Sequence, residues 1–339
     1  MNAPNTYSFG RKLQWLVRRE WWENRGSFFW GPLIAAIISL VMFFLMLSIS
    51  QVMLWQANPN AINIRFGPES FQSLMSGKSA SESLEIYQSI INFMTLSAAT
   101  WPMIIFGVAV FFYLLSSLYD ERRDRSILLW KSLPLSDTQT VLSKYISAMI
   151  IAPLSAIAIS LAAMLVMGII ISLFVLINGG DPLLVYWQHL APGKLLATLL
   201  GWLPIYILWA LPTVGWLMLC SAWARSVPFI WAILLPLLSG ITVSMFSLLG
   251  YSSGWFWQHI VLRLLTSAWP GSHLLSYLGD ENQLAPLLST QDDPSLLLYA
   301  DGIWAGTPLL TRPELWIGAV AGIAMIVLAT LLRRWRAEA

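Results

Sequence analysis

Charge is scarce in this chain. Only 11% of its 339 residues are Asp, Glu, Lys or Arg, whereas a soluble globular domain carries about 25%. The charges are also clustered, and six long windows contain none: 26–64, 86–119, 145–180, 195–224, 226–262 and 315–332. This distribution excludes a soluble globular protein. The formal net charge of +2 is too small to indicate nucleic acid as a partner.

Cysteine and histidine are scarce as well. The single cysteine, Cys220, permits no intramolecular disulfide and no cysteine metal cluster. The three histidines have no partners at metal-ligand spacing. Ion-coupled transporters and intramembrane enzymes usually place charged groups at mid-membrane, and the six windows contain no Asp, Glu, Lys or Arg. The sequence therefore favours neither class, and it predicts no metal site and no catalytic residue.

Long apolar runs are abundant instead, and a helix needs about 20 apolar residues to cross a bilayer. We predict an all-α polytopic membrane protein in which residues 1–339 form a single transmembrane domain. The six predicted spans are 31–54, 96–119, 142–176, 197–222, 228–250 and 314–333. An even number of spans places both termini on one side. Most Lys and Arg residues lie before span one, in 120–144 and after span six, which predicts that this side is cytoplasmic.

Residues 9–25 have helical periodicity, with Leu13, Leu16 and Val17 on one face. We expect a helix that lies in the cytoplasmic membrane interface, with Trp and basic residues at headgroup level. The candidate interfacial residues are Arg18, Arg19, Glu20, Trp21, Glu23 and Arg25. Gly26 and the Gly31-Pro32 pair are expected to let the chain turn into span one.

The largest outer element is predicted at 251–313. Its apolar part, 255–269, is too short to span the bilayer, carries Arg263 and is broken by Pro270-Gly271. These features predict a re-entrant-like or interfacial helix before span six. The acidic remainder, 279–313, is interpreted as a solvated loop.

Span four carries tryptophan at every seventh position, Trp202, Trp209, Trp216 and Trp223, which places these side chains on one helical stripe. Such a stripe is typical of helix packing or of a lipid-facing anchor. It is also compatible with the lining of an apolar substrate path, for which Trp202, Trp209 and Trp216 are the candidates, or with a subunit seam.

The loop between spans two and three opens with six consecutive charged residues, 120–125. Each costs about 2.5–3.5 kcal/mol at the bilayer centre, so this segment must reach the cytoplasm. A short helix with Ile127, Leu128 and Trp130 as apolar positions follows, and Pro134 stops it. Ser136 and Gln139 form a capping-box pattern that restarts a helix into span three, with a bend near Pro153. The short helix either enters a groove on a partner protein or rests on lipid headgroups.

The order of motifs in this loop resembles the cytoplasmic loop of ABC transporter permeases of the type 2 exporter class. The matching residues are Glu121-Arg122, Ser126, Ile127 to Trp130, Ser132-Leu133-Pro134-Leu135-Ser136 and Ser143-Lys144. Ser126 stands where the family usually has threonine. The segment RREWWENR, 18–25, is similar to the interfacial helix of the same family, and the six-span layout also fits.

The resemblance implies a permease that pairs with a second copy of itself or with a close relative in the bacterial cytoplasmic membrane. Two separate ATP-binding-cassette ATPase subunits would dock on residues 121–134, the coupling helix. The candidate coupling residues are Glu121, Arg122, Arg123, Asp124, Arg125, Ile127, Leu128, Trp130 and Pro134. ATP and Mg²⁺ would bind to the ATPase, so this chain is expected to bind no cofactor. The family exports drugs, lipids, polysaccharides, peptides or antibiotics.

Two other functions stay open at this point. One is a membrane-embedded enzyme at the outer interface that uses His259, His273 and Asp280. The other is a membrane assembly factor that has the permease architecture without transporting anything.

Overall fold

The structure of the chain, a computed structural model, describes residues 8–57, 79–124, 135–246, 253–273 and 310–336, with the isolated positions 68 and 72. Over these ranges the protein is helical and has no strand. Six of its helical segments are long and apolar enough to cross a membrane. The predicted fold class, an all-α polytopic membrane protein, is confirmed.

The membrane-crossing helices have bounds close to the apolar windows. They are span one, Gly31–Ala57; span two, Thr100–Ser117; span three, Ala152–Ile177; span four, Pro192–Trp223; span five, Pro228–Met245; and span six, Pro313–Arg336. Span two is preceded by a helix, Ala80–Ser97, which begins at a capping box between Ser79 and Glu82 and which we call the outer helix after its predicted side. A short helix, Tyr119–Arg123, follows span two.

Span three is extended at its start by a helix, Asp137–Ile146. The predicted capping box is present: the amide of Gln139 donates to Ser136 Oγ at 3.2 Å, and the amide of Ser136 donates to Gln139 Oε1 at 3.1 Å. A π-helical turn, Ser147–Ile151, lies just before Pro153. Proline has no N–H, and its ring crowds the carbonyl four residues earlier, so the regular helix cannot continue unchanged through this point.

The N-terminal helix, Phe9–Arg25, passes through a π-helical turn, Gly26–Trp30, into span one. Both Gly26 and Gly31 have right-handed helical backbone angles. The sequence predicted that these glycines let the chain turn into span one, whereas the structure continues through them as a helix by way of the π-helical turn. The N-terminal helix packs against the Asp137–Ile146 extension and buries Leu16.

Spans four and six make the closest helix pair in the described protein. A Cβ atom at Gly215 would collide with the carbonyl group of Gly322, and one at Gly322 would collide with the carbonyl group of Leu211. Glycine at both positions lets the two backbones touch, as small residues do at helix crossings in membranes. We call this contact the glycine seam.

The re-entrant-like segment consists of short helical pieces, Gly254–Phe256, Trp257–Val261 and Leu262–Thr266. Its end packs against span two, where a Cβ atom at Gly107 would lie 2.9 Å from Pro270 and 3.0 Å from Trp269. The segment thus lies against spans two, four and five, in addition to span six.

Candidate functional site

Charged side chains that the apolar spans exclude meet at one end of the helix bundle. They surround the loop base, which we define as the residues on either side of segment 125–134, namely 118–124 and 135–144. The ion-pair cluster consists of Arg19, Glu20, Glu121, Asp137, Lys144 and Arg333. Three carboxylates meet three cations in the cluster, and a fourth carboxylate, that of the exposed Glu23, pairs with Arg19 Nε at 3.3 Å.

Lys144 lies at the centre of the cluster and is 4% exposed. Its Nζ atom is 3.2 Å from Glu20 Oε1 and 3.1 Å from Glu121 Oε1. Glu20 also accepts hydrogen bonds from Arg19 Nη2 at 2.6 Å and from the Tyr113 hydroxyl at 2.7 Å. The ammonium group of Lys144 thus joins the N-terminal helix to both sides of the loop base.

Glu20 keeps its charge in this setting. It lies in the N-terminal helix ahead of span one and is buried. Burial alone would raise its pKa, but Lys144, the Tyr113 hydrogen bond and Arg19 together outweigh burial and hold the pKa below its ordinary value. The contact with Lys144 is therefore a true ion pair at neutral pH.

Arg333 links the last turns of span six to both sides of the loop base. Its Nη1 atom donates to Glu121 Oε2 at 2.6 Å, and its Nε atom donates to Asp137 Oδ1 at 3.0 Å. The guanidinium group is planar and presents donors in a fixed fork, so one side chain holds two carboxylates in a set geometry. The side chain is nearly fully buried.

Arg122 ties the loop base to the end of span four. Its Nη2 atom donates to the carbonyl oxygens of Ser221 at 2.5 Å and Ala224 at 3.0 Å. The Ser221 hydroxyl in turn accepts from the amides of Leu118 and Tyr119, each at 3.0 Å. These bonds satisfy carbonyls that a helix end leaves without an intrahelical partner.

The structure places the predicted coupling residues in two groups. Glu121 and Arg122 make contacts within the protein, and their predicted role in ATPase coupling stays a prediction. Arg123 and Asp124 are exposed. The remaining candidates, Arg125, Ile127, Leu128, Trp130 and Pro134, lie outside the described residues.

The predicted interfacial residues also divide. Arg18, Glu23 and Arg25 are exposed, and Trp21 is partly buried with its ring 6.5 Å from Phe29. Arg19 and Glu20 instead belong to the ion-pair cluster. At helical spacing, Glu20 lies on the same face of the N-terminal helix as Leu13 and Leu16. A sequence alone does not show that Lys144 and Arg19 will compensate for a buried carboxylate on that face.

The tryptophan stripe of span four faces the protein interior over most of its length. Trp202 stacks on Tyr206 with ring centroids 4.3 Å apart. Trp209 is buried, and Trp216 Nε1 donates to the carbonyl oxygen of Ala232 in span five at 2.9 Å. Only Trp223 of the four is exposed. Helix packing thus accounts for Trp209 and Trp216.

Trp202 has a second environment, because it lines a cavity of about 260 Å³. The walls are mostly apolar and come from the outer helix, spans two and four, and the end of the re-entrant-like segment. Phe93, Met103 and Trp269 are among the lining residues. Of the three predicted path residues, Trp202 lines this cavity; Trp209 and Trp216 do not appear in its walls.

A buried cation, Arg263, lies on the re-entrant-like segment, and the sequence showed its presence but not its surroundings. The guanidinium carbon of Arg263 is 4.3 Å from the ring centroid of Trp209. On its other side the group rests on Gly318, where a Cβ atom would lie 2.7 Å from that carbon. Trp209 is near the middle of span four, so the cation reaches into the transmembrane region. The tryptophan face offsets part of its desolvation.

The histidines named for the enzyme alternative lie in different environments. His259 stacks on Trp255, and its Nε2 atom is 3.8 Å from Glu314 Oε1. His273 is buried, which lowers its pKa to about 4, so it is uncharged at neutral pH. Asp280 lies outside the described residues. No group of three His, Cys, Asp or Glu residues suited to a metal ion is found in the part of the chain that the structure describes.

Sequence reasoning missed Arg333 and the central place of Lys144. Both residues were noticed only as positive charges near span ends, and Lys144 also as part of the Ser143-Lys144 motif. Their partners are distant in sequence, since Glu20 and Lys144 are 124 positions apart and Glu121 and Arg333 are 212 positions apart. Neither helical periodicity nor local spacing carries that information.

Comparison with protein-family models finds a match to the ABC-2 family transporter protein over residues 83–247. No curated protein and no solved structure matches the chain. The matched region runs from the outer helix through span five and includes the loop base. Arg19, Glu20 and Arg333 lie outside it, so most bonds of the ion-pair cluster join this region to the rest of the chain. The match supports the predicted resemblance to ABC transporter permeases: just under half of this multi-pass membrane protein matches the ABC-2 family transporter protein.

Proposed function

We propose that this permease exports its substrate across the bacterial cytoplasmic membrane with ATP hydrolysed by separate ATPase subunits. Two ATPase copies dock on the 121–134 segments of two permease copies, which are identical or closely related. Both chain termini and the loop base face the cytoplasm. ATP and Mg²⁺ bind to the ATPase, and the permease contributes no catalytic group.

The observation that carries this proposal is the ion-pair cluster at the loop base. A docking segment can transmit force only if its two ends are fixed to the helices that must move. Lys144, Arg333 and Arg122 fix those ends to the N-terminal helix, span six and span four. A loop that merely rested on lipid headgroups would need no such attachment.

The residues proposed to contact the ATPase are chosen by their exposure in the structure and by the apolar composition of the docking segment. Arg123 and Asp124 are exposed beside the segment and can pair with charges on the ATPase. Ile127, Leu128 and Trp130 supply apolar side chains for a groove on that subunit. Glu121 and Arg122 act from within the permease by holding the segment in place.

A candidate substrate path includes the cavity beside Trp202. Its walls are mainly apolar, with Ser97, Thr100 and Thr198 as the hydroxyl-bearing exceptions. Such a surface favours a hydrophobic or amphiphilic substrate, because binding then removes apolar surface from water. Trp216 joins span four to span five, and Trp209 joins span four to Arg263 of the re-entrant-like segment.

The test replaces residues 125–134 by a Gly-Ser linker of equal length and leaves the loop base intact. We expect the purified variant to keep its melting temperature, because the ion-pair cluster is unchanged, and to lose co-purification with its ATPase. A variant with the same linker in place of residues 283–292, in the outer loop, serves as the control and should retain the ATPase. Stoichiometric ATPase on the 125–134 variant would contradict the proposed docking segment.

A further inference from the structure

We propose that Arg333 passes the movement of the loop base directly to span six and, through the glycine seam, to span four. The inference rests on the proposed function, since the ATPase supplies the movement. It assigns Arg333 as a positioning residue of the transport cycle. Spans four and six would then be driven at their own ends, in addition to spans two and three, which flank the loop.

The geometry at Arg333 supports a direct connection. Glu121 follows span two, and Asp137 is the first residue of the helix that leads into span three. Arg333 binds both carboxylates, at 2.6 Å and 3.0 Å, so the end of span six contacts both sides of the loop base. Charge-assisted bonds of this length are short and directional. A displacement of the loop base therefore displaces the end of span six.

The glycine seam continues the connection. At Gly215 and Gly322 the backbones of spans four and six meet with no side chain between them. Closely packed backbones cannot slide past each other without separating first, since the interior is close-packed. The two spans therefore move as one body, and a force at the end of span six reaches span four.

A second contact drives the same body from the other side. Arg122 binds the carbonyl oxygens at the end of span four, and the Ser221 hydroxyl binds the amides of Leu118 and Tyr119. The loop base is thus hydrogen-bonded to span four at Ser221 and to span six at Arg333. Spans one and five supply no member of the ion-pair cluster within the described ranges.

Arg333 can be changed without dissolving the cluster. In Arg333→Gln, Glu121 keeps its contact with Lys144 at 3.1 Å, and Glu20 keeps its contacts with Lys144, Arg19 and Tyr113. The Arg122 contacts with span four are also untouched. The neighbouring Arg334→Gln is the matched control, because Arg334 is exposed on the same turn.

The experiment places one environment-sensitive fluorophore on an introduced cysteine, either Ile317→Cys in span six or Glu85→Cys in the outer helix. Both positions are exposed, whereas the native Cys220 is 1% exposed and does not compete for the label. The full permease is reconstituted with the ATPase that co-purifies with it. The emission change on ATP binding is measured in the native background, Arg333→Gln, Arg333→Lys and Arg334→Gln.

We expect the native protein and Arg334→Gln to respond at both label positions. In Arg333→Gln, the emission response at Ile317→Cys should be at least five-fold smaller than in the native background. The response at Glu85→Cys should be unchanged. Arg333→Lys should recover part of it, because a single ammonium can pair with Glu121 but lacks the fork that also reaches Asp137. A merely structural role of Arg333 would not separate the two positions in this way.

Two results would overturn the inference alone: an unchanged response at Ile317→Cys in Arg333→Gln, or an equal loss at both positions. A native protein that binds no ATPase and shows no nucleotide response at either position would contradict the proposed function, and this inference with it. The two failures are therefore distinguishable.

Discussion

The two ends of this helix bundle are held together by different chemistry. At the end that carries the loop base, ionised side chains meet in a buried cluster whose contacts run from 2.6 to 3.2 Å, apart from one at 4.0 Å. At the other end, neutral groups make short contacts between helices, and the approach of His259 Nε2 to Glu314 Oε1 is longer, at 3.8 Å. Gln51 and Asn178 exchange hydrogen bonds at 2.8 and 3.0 Å, and the Tyr87 hydroxyl donates to the carbonyl oxygen of Val185 at 2.7 Å.

The difference supports the proposal that force enters the bundle at the end with the loop base. A buried ion pair adds little net stability over a well-packed apolar contact, yet removing one partner leaves an uncompensated charge and costs about 3–5 kcal/mol. Such a contact therefore has a strongly preferred geometry. A neutral hydrogen bond contributes about 0.5–1.5 kcal/mol and tolerates exchange more easily. Strict geometry is thus concentrated where the loop base meets the N-terminal helix, span four and span six.

Lys144→Ala should have the largest effect on stability. It removes the cation that Glu20 and Glu121 share, and we expect the free energy of unfolding to fall by about 3–5 kcal/mol. The matched control, Lys194→Ala, lies exposed at the other end of the bundle and should change stability by less than about 0.5 kcal/mol. Thermal unfolding in detergent measures both, and equal melting temperatures would remove the distinction between the ends.

Gly322→Ala tests the seam that connects the two ends along spans four and six. The added methyl group meets the carbonyl of Leu211, so the helices must separate, at a cost of about 1–3 kcal/mol. Gly201→Ala is the control on span four, because nothing lies within 4 Å of its Cβ position. That variant should gain up to about 1 kcal/mol from helix propensity. Gains of the same sign in both variants would show that the seam is loose.

Trp209→Leu tests how the ring of Trp209 stabilises Arg263, a buried cation away from the ion-pair cluster. Losing the ring face should cost about 2 kcal/mol, since the guanidinium is largely desolvated. Trp223→Leu, on the same stripe but exposed, is the control. A larger drop in melting temperature for Trp223→Leu than for Trp209→Leu would contradict a role for the Trp209 ring.

The smallest effects are expected at the two capping boxes, one at each end of the bundle. Ser136→Ala and Ser79→Ala each remove one cap and should each cost about 1 kcal/mol locally. Hydrogen exchange at the Gln139 and Glu82 amides should accelerate about five-fold. If hydrogen exchange near Arg333 also accelerates in Ser136→Ala but not in Ser79→Ala, the cap at Ser136 supports the ion-pair cluster. That result would sharpen the difference between the two ends. Unchanged exchange at Gln139 would show that the cap is not needed.

The sequence predicted the elements well, because local rules determine them. The absence of charge located the spans, Ser136 and Gln139 located the start of the span three helix, and the loop motif indicated the family. Pairings across the bundle were out of reach of those rules. Glu20 looked like a residue for lipid headgroups, and Arg122 looked like a docking charge. Glu20 meets Lys144 only because the N-terminal helix packs against the extension of span three. Arg122 meets Ser221 only because the loop base packs against span four.

The most direct test of the account is a photo-crosslinking amino acid at Arg123, the exposed position next to the predicted docking segment, in the full permease in native membranes. We predict a covalent adduct with a soluble ATP-binding-cassette ATPase, and none from the same probe at Lys194. Adducts with lipid alone at position 123, in membranes where transport is active, would contradict the claim that the loop is driven by an ATPase.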